Sequence, residues 1–426
     1  MDLTHFKRNY ILGIVNGVLF NLAFAFLSGA TILPAFLSRL TSSGFLIGLA
    51  SSLEDVGWLL PQYFVAGYIQ PRKRKKTVYV VAAVFRSLTF GLLTLSIFVL
   101  ANESPQLLWT FFLLFLLYSL AGGIAAVAFM DIVGKAIPPS KRGSFFGWRV
   151  SIGSGLGFLA ALIVIRKILT DLSFPYNYGT IFAINFFVIT LALTAFSLVK
   201  EPTYPTTERK KSLRAHLHRG LQILRQDANY LRFLIFRWFI GSFYLGLPFY
   251  VVYARRMLGV AEAAVAIFLS IYMFGVVTSN LLWGWLSNRV GNRIVLQLTS
   301  GAVMIAPIFV LSSALFHIPL VLYGAVFYFL GAIYSGLRVG YPNYLLDISP
   351  DQERPTYVGM LNTLIAPTLV FGGVGGLIVD LISFQFLYTI VLILSFPALF
   401  LSLKLKEPRT TARALNKTLT NMDMPT

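Results

Sequence analysis

Twelve long apolar runs separated by short polar stretches make up this chain. They cover residues 10–37, 44–69, 77–101, 107–131, 145–166, 178–199, 230–254, 262–287, 294–316, 319–345, 357–379 and 386–403. Each is long enough to cross about 30 Å of hydrocarbon as an α-helix, and a helix satisfies its own backbone groups where there is no water. The pattern predicts an all-α membrane protein with twelve transmembrane helices, numbered here as spans one to twelve. The first run follows Lys7 and Arg8 and has no small-residue cleavage site, so it reads as a retained helix rather than a removed signal peptide.

The polar stretches between runs predict orientation. Segments 1–9, 71–76, 132–143, 200–229, 288–293, 346–356 and 404–426 hold 25 of the 35 lysines and arginines. The alternate segments, with the span ends that face them, hold five: Arg39, Arg166, Lys167, Arg255 and Arg256. Basic loops stay on the cytoplasmic side, so both termini are expected there and the number of crossings is even. The longest polar stretch, 200–229, divides the spans six and six. The expected organisation is a first bundle over 1–199, a cytoplasmic linker over 200–229, a second bundle over 230–404 and a cytoplasmic tail over 405–426. Leu213, Leu217, Leu221 and Leu224 share one helical face within the linker, which predicts an amphipathic helix lying on the membrane surface.

Composition narrows the function classes. The chain is 57% hydrophobic and 12% charged, half the charge of an ordinary soluble domain. With no cysteine there are no disulfides, thiolate nucleophiles or cysteine-held metals. The four histidines fall outside or at the ends of the apolar runs, so neither a metal site nor a cofactor is expected. No GxxxxGK[ST] loop is present to bind a nucleotide. The net charge of +19 sits where topology needs it, and it implies contact with anionic lipid rather than nucleic acid.

The two halves are related. Pro139, Arg142 and Gly147 match Pro350, Arg354 and Gly359 at a shift of 211 or 212 residues, Pro34 matches Pro248 at 214, and Gly67 matches Gly284 at 217. Between spans eight and nine the chain reads GWLSNRVGNR, Gly284 to Arg293. Between spans two and three, Gly67 and the basic run Arg72–Lys76 hold the same place. Six plus six spans, a basic central loop and this turn resemble the major facilitator superfamily, whose loop pattern is G-x-L-x-D-R-x-G-R-R. Gly284, Leu286, Arg289, Gly291 and Arg293 match that pattern, and Asn288 stands where Asp is usual. The resemblance implies two pseudo-symmetric six-helix bundles. It also implies a cytoplasmic gate at Gly284, Asn288, Arg289, Gly291, Arg293 and Gly67, with Arg142 and Arg354 at the related loops. Drug–proton antiporters of that superfamily usually carry an Arg in span four and a GP pair in span five. Here 116–126 has no Arg, and Gly153, Gly155 and Gly157 occur without proline, so the resemblance stops at the superfamily.

Polar groups deep in a span are expensive and therefore mark candidate sites. Glu54 and Asp55 are the two acids deep in a span, and Arg86 lies at similar depth in span three. They read either as a proton-coupling site, because the neutral acid is the cheaper form away from water, or as a buried ion pair. Spans one, four, seven and ten would line the cavity in the superfamily. That makes Tyr334, Arg338 and Tyr341 of span ten, Arg237 and Tyr244 of span seven, and Asn21 and Phe24 of span one candidate substrate contacts. An arginine between tyrosines suits an anionic or aromatic solute. The alternative for Arg338 is that it snorkels toward the membrane surface. Arg149, near the cytoplasmic end of span five, reads as a gate brace.

The expectation is a secondary active transporter in the cell membrane, multi-pass and monomeric. It would move a small organic solute by alternating access with proton coupling, and would not be an enzyme. A transporter-like sensor or lipid-handling protein without active transport is the other reading.

Overall fold

The structure, a computed structural model, describes residues 5–69, 74–202, 221–316, 319–350 and 353–407. Every regular element among them is helical. Eleven helices are long and apolar enough to cross a membrane. The helix Gly44–Ile69, 26 residues long and carrying Glu54 and Asp55, occupies the place of span two. Most of the amphipathic stretch expected in the linker, Arg72 in the first basic loop and the tail beyond 407 lie outside the described residues.

Several spans are broken helices. Span one runs as Phe6–Phe26, pauses, and resumes as Ile32–Leu40. Across the pause the Ser28 carbonyl accepts from the Thr31 and Leu33 amides at 3.2 and 3.0 Å, which satisfies groups the break would otherwise orphan. Span seven breaks at Gly241 and again before Pro248, giving Ala228–Ile240, Ser242–Gly246 and Phe249–Met257. Span eleven is interrupted by a short 3-10 stretch, Ala366–Val370, that contains Pro367. Proline lacks an N–H and crowds the preceding turn, so interruptions gather beside it. Interruptions of this kind persist at membrane depth only where protein, not lipid, surrounds them.

The chain divides into two compact units that do not follow the two sequence halves. The first is built from Met1–Arg209, Tyr244–Phe274 and Leu369–Phe384. Small residues set its close contacts. A Cβ added to Gly153 would strike Asn21 and the Val18 carbonyl, one added to Gly123 would strike the Trp58 and Gly57 carbonyls, and one added to Gly48 would strike the Gly372 carbonyl. Span five therefore closes on span one, span four on span two, and span eleven on span two, as small residues allow in membranes. At the end near the N-terminus, Lys75 and Lys135 each approach Asp131 at 2.6 Å, and Lys135 also reaches Glu201 at 3.1 Å.

The second unit comprises Lys210–Phe243, Gly275–Thr368 and Gln385–Thr426. Span ten, Leu320–Ile348, is its axis. Gly336 meets Thr299 and the Trp283 ring, Gly340 meets Leu296, and Trp283 Nε1 donates to the Ala332 carbonyl at 2.9 Å. Span seven starts cleanly because Asp227 accepts from the Asn229 and Tyr230 amides at 3.0 and 2.9 Å, the standard N-cap arrangement.

Candidate functional site

Within the first unit lies a small, mostly apolar pocket of about 10 Å³, room for roughly one water molecule. Phe20, Ala23, Phe24 and Leu27 of span one, Glu54 of span two, Arg86 of span three, Tyr118 of span four, and Asn185 and Ile189 of span six line it. Arg86 is 1% exposed, and its guanidinium carbon sits over the Tyr118, Phe20 and Trp58 rings at 4.3, 5.3 and 5.4 Å. Gly122 lets this happen, since a Cβ there would approach the same guanidinium at 3.0 Å. Cation–π contact partly replaces lost water around the charge. It does not replace hydrogen bonds. Arg86 Nε and Nη2 are buried with no hydrogen-bond partner among the described residues, and so are both side-chain amide atoms of Asn185, a residue with no exposed surface. Leaving such a group unpaired costs about 1–3 kcal/mol, more when it is charged.

Glu54 and Arg86, expected at similar depth, thus face one cavity together with Phe24. Asp55 points elsewhere and is exposed. Gly44, Gly48 and Ser52 form the stripe of span two that meets span eleven, and Asp55 continues that stripe a turn further along. Asn21 is engaged with backbone: its Nδ2 donates to the Gly17 carbonyl at 2.7 Å and to the Arg149 carbonyl at 3.3 Å. Arg149 is buried, donates to the Gly13 carbonyl at 2.8 Å and lies over Phe129, Phe145 and Phe146, so it fastens span five to span one.

At the opposite end of the first unit from the N-terminus, a second polar cluster has both its carboxylates engaged, while the buried Tyr178 hydroxyl beside Glu262 has no hydrogen-bond partner among the described residues. Asp380 of span eleven accepts from the Gly44 amide at 2.6 Å, the Phe45 amide at 3.0 Å and the Ser43 hydroxyl at 3.2 Å. It caps the start of span two from another helix, where the helix dipole favours a negative charge. Glu262 takes Arg255 at 2.8 Å, Arg39 at 3.5 Å and the Asn177 amide at 3.0 Å. Arg255 also donates to the Ala35 carbonyl at 2.7 Å, and Arg256 to the Thr41 and Ser42 carbonyls at 3.3 and 3.2 Å.

In the second unit, Arg237 lies over the Tyr341 ring at 3.5 Å, and Arg338 donates to the Tyr334 hydroxyl at 2.6 Å. On the helical face of span ten that carries Tyr334 and Arg338, Phe327 and Gly331 are buried, and the face opens at Tyr334 and Arg338. Tyr244 belongs to the first unit.

The glycine–arginine turn is held by its second half. Gly291 has φ +131°, a conformation that favours glycine. A Cβ there would also run into the Glu407 carboxylate at 2.5 Å. Arg293 Nη2 donates to the Leu403 carbonyl at 2.6 Å, and its amide donates to Glu407 at 3.1 Å. Asn288 and Arg289 are exposed, and a Cβ on Gly284 would meet nothing within 4 Å. The carboxylate that enters this turn is Asp347 of span ten, which accepts from Asn292 at 2.6 Å while Ser287 donates to Asn292 at 2.6 Å. Arg142 donates to the Ile137 and Gly134 carbonyls at 3.0 and 2.7 Å and so closes its own loop. Gly67 lies within the span-two helix, and the Arg354 side chain lies outside the described residues.

Sequence reasoning passed over Asn185, Tyr118, Glu262, Asp380 and Asn292. A lone amide within apolar span six was a usable signal for Asn185. Glu262 and Asp380 lie at span ends, where an acid carries no burial signal in one dimension.

The comparisons agree with this architecture. The family model for the Major Facilitator Superfamily matches residues 14–366 and 248–420, and the chain belongs to that superfamily. Solved structures with the same fold include a D-xylose–proton symporter (TM-score 0.69, 14% identity, 95% of this chain and 99% of that one). A proton-dependent oligopeptide transporter is also similar (0.68, 13%, 93% and 97%), as is the nucleoside transporter NupG (0.65, 15%, 95% and 98%). At these identities the likeness is one of fold. A direct search of curated proteins finds no match. The protein is therefore a multi-span membrane protein with the transporter fold of this superfamily.

Proposed function

We propose that the chain is a secondary active transporter of the cell membrane, moving a small organic solute by alternating access with proton coupling, its termini cytoplasmic. The observation that carries this reading is the cavity shared by Glu54 and Arg86, an acid and a base at membrane depth inside one helix bundle. A carboxylate there can exchange a proton with the cavity while the arginine compensates its charge. The superfamily supplies the rocking of two bundles about a midplane site. Arg237 with Tyr341, and Arg338 with Tyr334, are candidate solute contacts within the second unit; Asn21, Phe24 and Tyr244 are candidates within the first. Their chemistry suits an anionic or aromatic solute. Two proteins of similar fold, a D-xylose–proton symporter and a proton-dependent oligopeptide transporter, are in keeping with this assignment.

The test is uptake into sealed vesicles holding the purified full chain, with a proton gradient imposed and a panel of labelled carboxylates, nucleosides, pentoses and short peptides outside. Accumulation of one class that collapses with a protonophore is the expected result. Binding without flux under any gradient would overturn transport and leave a sensor.

A further inference from the structure

Three helix ends meet on the surface of the first unit that carries the N-terminus, and hydrogen bonds to backbone clamp them together. Asn9, near the start of span one, donates to the Lys200 carbonyl at 2.9 Å and accepts from the Lys200 amide at 3.0 Å. The next residue, Glu201, accepts from the Lys75 and Lys76 amides at 2.8 and 2.9 Å and so caps the start of span three. Arg8 donates to the Leu198 carbonyl, at the end of span six, at 3.0 Å. Arg8 and Lys200 are thereby held within electrostatic reach of Lys76.

The charge gathered there is not balanced. Behind these three side chains, Lys75 and Lys135 are matched by Asp131 and Glu201, two cations to two acids. Arg8, Lys76 and Lys200 form no ion pair among the described residues, and His5 and Lys7 stand exposed beside Arg8. Lys200 Nζ meets only the His5 ring, at 3.4 Å from Nε2. The adjoining chain adds to the excess: residues 1–4 and 203–220 hold two acids, Asp2 and Glu208, against five lysines and arginines. Like charges fixed side by side repel unless an anion joins them, and here it must come from outside the chain.

The surface below the charges says what kind of anion. Spans three and six pack through Tyr79 and Phe196, whose ring centroids are 4.9 Å apart. On span three Val81, Phe85, Leu88 and Leu92 are exposed at helical spacing, and on span six Leu198, Leu191 and Phe187 are. Each row starts within two turns of the cations and runs toward the middle of its span. A soluble anion would use the charges alone. An anionic phospholipid uses both features, its phosphodiester oxygens on the arginine and lysines and its acyl chains along the apolar rows. Basic residues at span ends meet such headgroups at the leaflet surface.

We infer that Arg8, Lys76 and Lys200 form a binding site for the headgroup of one anionic phospholipid, whose acyl chains lie along the exposed rows of spans three and six. The site stands apart from the transporter reading, because it lies on the lipid-facing side of the unit and not on a solute path.

A chain without cysteine allows a local test. Leu191→Cys in the full chain is labelled with a fluorophore and reconstituted in vesicles of phosphatidylcholine with a minor fraction of phosphatidylglycerol. Leu191 is nine residues before Lys200, about 13 Å along a helix, level with bromine atoms carried mid-chain on the lipid. Quenching is compared with the bromine on phosphatidylglycerol or on phosphatidylcholine at equal mole fraction. Phosphatidylglycerol should be favoured about fivefold at Leu191 and less than about twofold at a Leu113→Cys reference, exposed on span four. The triple substitution Arg8→Gln, Lys76→Gln and Lys200→Gln should reduce the Leu191 preference to that of the reference. Arg166→Gln with Lys167→Gln, two exposed cations at the far end of span five, should leave it unchanged. Lys200→Gln alone keeps the backbone clamp, so it serves if the triple variant does not purify, and it should lower the preference about twofold. Equal quenching by the two lipids, or a preference that survives these substitutions, overturns the inference. So does displacement of the lipid by inorganic phosphate, which would identify a site for a soluble anion.

Discussion

The first unit contains two polar clusters at membrane depth or at its margin, and they differ in how completely their groups are paired. Around Asp380 and Glu262 each carboxylate is surrounded by donors: two amides and a hydroxyl for Asp380, two arginines and an asparagine for Glu262. Around Arg86 and Asn185, four buried nitrogen and oxygen atoms have no partner among the described residues. A paired cluster holds helices together, because separating it would expose every member at once. An incompletely paired one leaves donors and acceptors for water or another group. The first reads as a latch on the end of the unit away from the N-terminus, closing span eleven on span two and span seven on span one. The second is the candidate site. Charge content alone does not separate them; the pairing of their charged groups does.

Substitutions can break the latch or sharpen the contrast. The largest effect is expected from Gly48→Val, whose side chain has no room against the Gly372 carbonyl. Overpacking of this kind costs about 3 kcal/mol, and a marked fall in melting temperature or failure to purify in folded form is the expected readout. Asp380→Ala comes next. It removes the cap of span two and should destabilise by about 1–2 kcal/mol in chemical or thermal unfolding. Asn185→Leu should move the other way. Replacing a partnerless buried amide with an apolar side chain of similar shape is neutral or stabilising, here by about 1 kcal/mol. Destabilisation by Asn185→Leu as large as that of Asp380→Ala would erase the distinction between latch and site. The smallest change is expected for Arg39→Ala. Its side chain is 46% exposed and Arg255 also holds Glu262, so unfolding should shift by less than about 0.5 kcal/mol.

The glycine–arginine turn shows how far a motif read from the chain carries. Its glycines and arginines identify the superfamily, and Gly291 and Arg293 hold the turn as such residues should. Yet Asn288, standing at the motif's acidic position, is exposed, and the acid that braces this region is Asp347, more than fifty residues further along. A motif records which residues are near one another in the chain. A helix from elsewhere can supply a missing charge, and nothing local announces it.

The same division runs through the molecule. The chain alone determined the helical class and the length of the spans, because bilayer thickness and the need to satisfy every backbone group act on each segment separately. It also located Glu54 and Arg86 as costly residues at matching depth, since depth follows from counting along a helix. Only the tertiary structure decided that Glu54 rather than Asp55 shares the cavity with Arg86. Adjacent residues on a helix point about 100° apart, and which direction leads into the bundle depends on how neighbouring helices pack. Tertiary structure likewise brought Asn185 to Arg86 across ninety-nine residues and Asp380 to Gly44 across 336. Those meetings depend on small residues that let particular helix faces approach, at Gly122 beside Arg86 and at Gly48 against Gly372.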